Sequence, residues 1–142
     1  MNPVPKKGVT LLLAVFISTI ALTLGLGIFT IIFGELGIAG TAKESLVALY
    51  AADSGVECAL FWDIKQQAFS TSTANSITCA GNTVTVGGTT LSIFDLNFSN
   101  DSCAHMRVQK TGSETIITSL GENIACGAAS PRTVQRGLEV KY

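Results

Sequence analysis

The sequence predicts an α+β chain, with one long N-terminal helix that is apolar in its first half, amphipathic in its second, and packed on a small antiparallel β-sheet. Three observations predict it. Residues 9–33 form twenty-five consecutive positions without a charge. Residues 46–64 then repeat large apolar side chains at helical spacing, and from residue 83 onward the pattern changes to short alternating runs separated by glycine-containing turns.

The apolar segment comes first. A helix rises 1.5 Å per residue, so about 20 residues cross a hydrocarbon core of roughly 30 Å. Sixteen of the residues from Val9 to Phe33 are Leu, Ile, Val or Phe. At roughly 0.3 to 0.6 kcal/mol each they favour insertion by several kcal/mol, before Thr, Ser and Gly subtract from it. Lys6-Lys7-Gly8 stands directly before the segment. Three readings compete. A secretory signal has a shorter apolar region and is cut after it, and Gly40-Thr41-Ala42 is a weak site for that. A plain single-pass anchor is not cut at all. A class III signal is cut before the apolar segment, on the cytoplasmic side, and this is the favoured reading. With Lys6-Lys7 as the positive cluster, the N-terminus stays cytoplasmic and the chain after Glu35 lies outside.

The helical pattern continues past the apolar run. Gly34, Gly37 and Gly40 recur every third residue, as a contact face or a hinge. Leu46, Leu49, Val56, Leu60 and Ile64 then form a one-sided stripe, the face expected against the sheet. Asp53 falls on the same stripe, expected to be capped by nearby hydroxyls or to face the sheet edge, with a subunit contact as the alternative. Trp62 is expected in the core near the helix end. No proline occurs between Pro5 and Pro131. One helix from about residue 9 to 66 would measure roughly 85 Å. The chain therefore divides into 1–8, 9–34 (membrane helix), 35–66 (amphipathic continuation) and 67–142 (sheet domain).

Residues 70–76 read as a polar loop. Thr83 to Val86 alternates, Gly87-Gly88 signals a hairpin turn, and Leu91-Ser92-Ile93 resumes the alternation. The phase slips at Phe94-Asp95, where a bulge is expected. Ala104, Met106 and Val108 share one face, Thr111-Gly112-Ser113 turns into Glu114 to Leu120, and Val134, Leu138, Val140 and Tyr142 mark a last strand. Five short strands in a meander need a cover on their apolar face, and the amphipathic helix is the cover available.

Four cysteines, Cys58, Cys79, Cys103 and Cys126, fit an oxidising address for a small domain. No C-x-x-C pair is present, so zinc lacks its usual chelate spacing. Three disulfide connectivities are open, and spacing does not choose among them. Cys58–Cys79 with Cys103–Cys126 is the working expectation, with four buried thiols as the alternative. Each such loop would stabilise by roughly 3 kcal/mol. Net charge is −1, becoming −3 (7 basic against 10 acidic side chains) if residues 1–8 are removed. No basic patch exists to neutralise phosphates, so nucleic-acid binding is not expected.

A basic leader ending in glycine, then a long apolar helix, then a small cysteine-bearing sheet resembles the type IV pilins and pseudopilins. The likeness is specific at Lys6 to Leu13 and extends to the Ala-rich stretch Ala51 to Leu60 and the closing strand from Pro131 to Tyr142. It implies that prepilin peptidase cuts the leader after Gly8, with Lys6, Lys7, Gly8 and Val9 as the cleavage site, and that Val9 becomes an N-methylated N-terminus. Val differs from the family's usual Phe or Met there. Most members carry glutamate as the fifth mature residue, thought to pair with the charged N-terminus of a neighbouring subunit. This chain has Leu13. An unpartnered acid in mid-membrane costs roughly 2.5 to 3.5 kcal/mol, so a subunit with Leu13 needs no partner above it. That departure implies a minor, tip or priming subunit. The implied partners are other pilin subunits, prepilin peptidase, an inner-membrane assembly platform, and membrane lipid before assembly. The implied location is a single-pass membrane protein with its C-terminal domain outside, then an extracellular pilus or periplasmic pseudopilus.

Gly25 and Gly27 lower helix stability by about 1 kcal/mol each relative to Ala. They mark either a segment that unwinds on assembly or close packing of helices through small residues. His105, the sole histidine, reads as a solvated strand residue. Asn97-Phe98-Ser99 and Asn100-Asp101-Ser102 match the short glycosylation sequon. No G-x-S-x-G, H-E-x-x-H or Walker loop occurs, so no enzyme and no cofactor is expected. The alternative function is a single-pass anchored extracytoplasmic binding module, an adhesin or sensor ectodomain, that does not polymerise.

Overall fold

A computed structural model describes residues 7–142. One helix, α1 (Lys7–Gln66), precedes six strands: β1 (Ala74–Cys79), β2 (Asn82–Gly87), β3 (Leu91–Asn97), β4 (Cys103–Thr111), β5 (Glu114–Glu122) and β6 (Gln135–Lys141). The fold class is α+β, as the sequence predicts. Two compact units divide at Gly40 and Thr41. Among its described residues the first consists of helix alone. The second contains the rest of α1 and every strand.

In the second unit the strands form two antiparallel sheets, a β1-β2 hairpin and a four-stranded β3-β4-β5-β6 meander. The expected five-strand meander is thus corrected to six strands in two sheets. β1 begins inside the polar stretch read as a loop. Its inward residues, Ile77 and Cys79, follow a start of Ala74-Asn75-Ser76 too polar to signal a strand. The hairpin turn is Ala80-Gly81, both with positive φ, as the twist of a two-residue connection requires. Gly87-Gly88 instead carries the chain from one sheet to the other. A Cβ on Gly87 would meet the carbonyls of Thr73, Ala68 and Ser70 at 2.6 to 2.9 Å, at a φ of 77°.

The expected bulge at Phe94-Asp95 is absent. β3 pairs with β4 in one unbroken register from Leu91↔Gln109 to Asn97↔Cys103. Ser92, Phe94 and Leu96 face inward, and Ile93 points outward, 68% exposed. A buried serine in the inward row created the apparent slip of phase. Its hydroxyl accepts the Gly87 N–H at 3.0 Å, which satisfies it in the core.

The helix packs on the expected face only in part: Val56 is buried and Leu60 packs against the core, but Leu46, Leu49 and Ile64 of the expected stripe lie exposed. Its buried residues are Ala48, Ala51, Ala52, Gly55, Val56, Ala59 and Asp63, spaced by three, one, three, one, three and four. Leu46 (52% exposed), Tyr50 (66%), Phe61 (54%) and Ile64 (61%) face outward, and so does Asp53. Asp53 therefore neither faces the sheet nor is enclosed there. Small residues win the inner face because they allow close approach. A Cβ on Gly55 would strike Met106 Sδ, and one on Gly121 of β5 would strike the Ala48 carbonyl oxygen and the Ala52 nitrogen. The core beneath combines Val56 and Ala59 with Phe69, Ile77, Val86, Phe94, Leu96, Met106, Val108 and Ile117. Trp62 packs against it half-buried, its indole N–H donating to the Thr78 carbonyl at 3.2 Å.

The helix ends at Gln66. Gln67 takes a left-handed conformation (φ 49°), and the Ala68 N–H returns to the Trp62 carbonyl at 3.1 Å. Phe69 then stacks on Phe94 with ring centroids 6.0 Å apart. Two disulfides close the domain, Cys58–Cys79 from helix to hairpin and Cys103–Cys126 from β4 to the loop before β6.

Candidate functional site: an exposed apolar helix and a clamped strand end

The first unit's helix presents its large side chains outward all round. Within α1 an 18-residue window has a mean hydropathy of 2.4 with none of its residues buried, so the helix is apolar and long enough to cross a membrane. Its hydroxyls turn back on their own backbone. Ser18 donates to the Val15 carbonyl at 2.9 Å, Thr19 to Phe16 at 2.8 Å, Thr23 to Ile20 at 2.9 Å and Thr30 to Gly27 at 2.8 Å. In hydrocarbon, each polar group must find a partner inside the segment, and these do. Phe29 and Phe33 pack one turn apart with centroids at 4.3 Å.

Lys6 lies outside the described residues. Lys7 begins the helix, and Gly8, Val9 and Leu13 lie exposed in its first turns. Gly25 and Gly27 are helical, and α1 passes through both unbroken. A Cβ on either would meet nothing within 4 Å, as also at Gly34, Gly37 and Gly40. Among the described residues no neighbour requires glycine at these five positions, so a requirement for small residues there arises from what surrounds the helix.

Sequence reading missed one buried cluster, at the far end of the second unit. Asp63, 5% exposed, receives the Tyr142 hydroxyl on Oδ2 at 2.7 Å, and the Lys110 ammonium stands 2.7 Å from Oδ1 as an ion pair. Burial, followed by the hydrogen bond to Asp63 and that residue's charge, pushes the Tyr142 phenol above its ordinary range. The three groups clamp helix, β4 and the end of β6 together, beside an open cleft that Gln67, Ser70, Thr90 and Ser113 also line. Two more ties hold the helix: Asn123 donates to Glu44 at 2.7 Å, and Arg136 donates to the Ser45 hydroxyl at 2.7 Å. No spacing in the sequence joins Asp63, Lys110 and Tyr142; only the topology brings them together.

His105 is not simply solvated. Its Nδ1 lies 2.7 Å from Asp95 Oδ1 and its Nε2 3.7 Å from Glu122 Oε2. Cys103, His105 and Cys126 bring two sulfurs and an imidazole within 4.8 Å, but the sulfurs are bonded to each other and are not thiolate ligands.

These features define an α+β protein whose N-terminal helix is exposed, apolar and long enough to cross a membrane. Comparison with protein-family models, with curated proteins and with solved structures finds no match.

Proposed function

We propose that the chain is a structural subunit of a type IV pilus or related pseudopilus, in a minor, tip or priming position, assembled out of the membrane through its N-terminal helix. The observation that carries this reading is the division of labour along α1. The uncharged segment from Val9 to Phe33 is exposed throughout and satisfies its own hydroxyls. Farther on, small residues face the sheet and Leu46, Tyr50, Phe61 and Ile64 face away from it.

Such a helix suits two dry surroundings in turn. Lipid solvates the segment first. A bundle of sibling helices solvates it after extraction, so its apolar area never meets water, and van der Waals packing through small residues takes over from lipid contact. Leu13, where an acid would need a cationic neighbour, supports a subunit with nothing stacked above it. On this reading prepilin peptidase removes residues 1–8, Val9 is N-methylated, an inner-membrane platform drives extraction, and the sheet domain lies outside the membrane.

Mass spectrometry of the protein from sheared surface filaments tests the proposal. The expected result is a chain beginning at methylated Val9, at a few copies per fibre. A chain that keeps Met1 and never enters fibres would overturn it in favour of an anchored binding module. Thousands of copies along each fibre would overturn the tip assignment alone.

A further inference from the structure

The Cys103–Cys126 disulfide lies against a histidine held between carboxylates, and among the described residues the Cys58–Cys79 disulfide has no such neighbour. Cys103 is fully buried in β4, and its Sγ is 3.6 Å from His105 Nε2. Cys126, in the loop after β5, is half-buried, and its N–H donates to Asn97 Oδ1 at 3.0 Å. His105 is faced by Asp95 from β3 and by Glu122 from β5, and Arg107 stands two residues along on its own strand face. Around Cys58–Cys79 the ionisable group lining the surface is Glu57, whose negative charge opposes a departing thiolate.

We propose that Cys103–Cys126 is a thiol-exchange site, opened by an external thiolate with His105 assisting the leaving sulfur. The more accessible Cys126 Sγ is the atom attacked. A bond forms between the incoming sulfur and Cys126 Sγ as the Cys126–Cys103 bond breaks, and the electron pair leaves on Cys103. Protonated His105 delivers its Nε2 proton to that sulfur, or remains beside it as the cation of a thiolate pair. Its Nδ1–H stays on Asp95, which makes Asp95 a positioning residue. A second thiol then displaces the first from Cys126. The balance is two external thiols oxidised to one disulfide, with Cys103 and Cys126 reduced. Thiolates leave faster when a neighbouring cation stabilises them, and imidazolium is a common cation for that purpose. The substrate class is a thiolate, supplied by a small monothiol or by a dithiol protein. The consequence of exchange is local: it frees the loop between β5 and β6 from β4.

The test uses the full chain in detergent micelles, treated in separate arms with glutathione and with a reduced dithiol protein of the thioredoxin class. Timed alkylation and peptide mass spectrometry follow both disulfides in each sample. The expected result is opening of Cys103–Cys126 about tenfold ahead of Cys58–Cys79 in at least one arm, because leaving-group stabilisation acts on one bond and not the other. His105→Gln and Asp95→Asn should each remove most of that lead while leaving the Cys58–Cys79 rate unchanged, which serves as the internal control for folding. Equal rates for the two disulfides in both arms, or a lead that survives His105→Gln, would overturn the proposal.

Discussion

Replacing Gly121 by alanine should unfold the second unit far more readily than the same change at Gly55, although both glycines lie in the helix–sheet contact. The Gly121 methyl would strike the Ala48 carbonyl oxygen and sit 2.5 Å from the Ala52 nitrogen. Both are helix backbone, which cannot rotate away. Restoring van der Waals separation requires the helix to retreat by about 1 Å, and a gap of that size forfeits up to half of each contact it opens. The retreat would loosen Ala48, Ala51, Ala52, Val56 and Ala59 together, since all lie on the one face. Overpacking strain of about 1 to 3 kcal/mol is added to that loss, for a total near 3 to 4 kcal/mol. At Gly55 the new methyl meets the tip of Met106, a flexible side chain, with Ser119 Oγ at 2.9 Å. Some strain is thereby relieved by rotation, and alanine gains about 1 kcal/mol of helix propensity over glycine. The expected net cost at Gly55 is about 1 kcal/mol. Urea titration of the disulfide-intact chain in detergent, followed by the fluorescence of its sole tryptophan, Trp62, measures both. For a domain of this size the Gly121 change should lower Tm by roughly 15 to 25 °C. A Gly121→Ala chain within about 1 kcal/mol of wild type, or one more stable than Gly55→Ala, would refute the claim that small residues set the helix–sheet distance.

Tyr142→Phe removes a hydrogen bond from a buried carboxylate; because Tyr142 is itself 44% exposed and water can replace it, the cost should be about 1 kcal/mol by urea titration at neutral pH. The Tyr142 phenol is raised in the folded chain, so its stabilisation is complete below the unfolded value of about 10 and is lost as pH rises beyond it. Wild type and Tyr142→Phe should therefore converge in stability on titration into strong alkali. Lys110→Met leaves Asp63 with the tyrosine alone and should cost about 2 to 3 kcal/mol in the same assay, more than Tyr142→Phe, because a buried charge loses its counter-ion. Leu46→Lys combined with Ile64→Lys should leave the urea midpoint almost unchanged, within about 0.5 kcal/mol, yet abolish incorporation into sheared filaments. Gly25→Ala with Gly27→Ala should stiffen the helix by about 2 kcal/mol and slow filament assembly, counted by electron microscopy; normal filaments would assign the two glycines to packing.

Periodicity carried the helix well, because an uncharged run followed by a 3.6-residue repeat has few alternatives, and it carried five of the six strands, β2 to β6. It placed the packing face of the amphipathic half only in part, since Val56 and Leu60 do pack inward. Leu46, Leu49 and Ile64 dominate any reading weighted by side-chain size and are therefore expected inside, yet all three are exposed. The inner face is written in alanine and glycine, from Ala48 to Ala59, and such residues look neutral by hydropathy although their spacing is equally regular. A search for small residues at i, i+3 and i+4 would have found it. β1 escaped notice because its first three residues are polar, and Ser92 in an inward position imitated a bulge. The Asp63, Lys110 and Tyr142 clamp had no local signature, since three elements distant in sequence contribute one group each.

The share of large apolar side chains that the helix leaves outside bears directly on what the helix is for. A helix serving its own domain alone would turn its largest apolar side chains inward, where each buried Leu, Ile or Phe stabilises by about 1.5 to 3 kcal/mol. Here the fully buried helix residues facing the sheet are, apart from Val56, alanines and a bare glycine, a contact that stabilises more through closeness than through area. Leu46, Tyr50, Phe61 and Ile64 remain outside. Burying those four against neighbours would supply several kcal/mol per subunit toward the entropy of association without disturbing the domain's own packing. The two contacts then do not compete: the domain folds first on its small face and presents the large one. On the proposed reading, the upstream segment supplies the membrane residence and the outward stripe the docking area, and mutations on the two faces should separate folding from assembly.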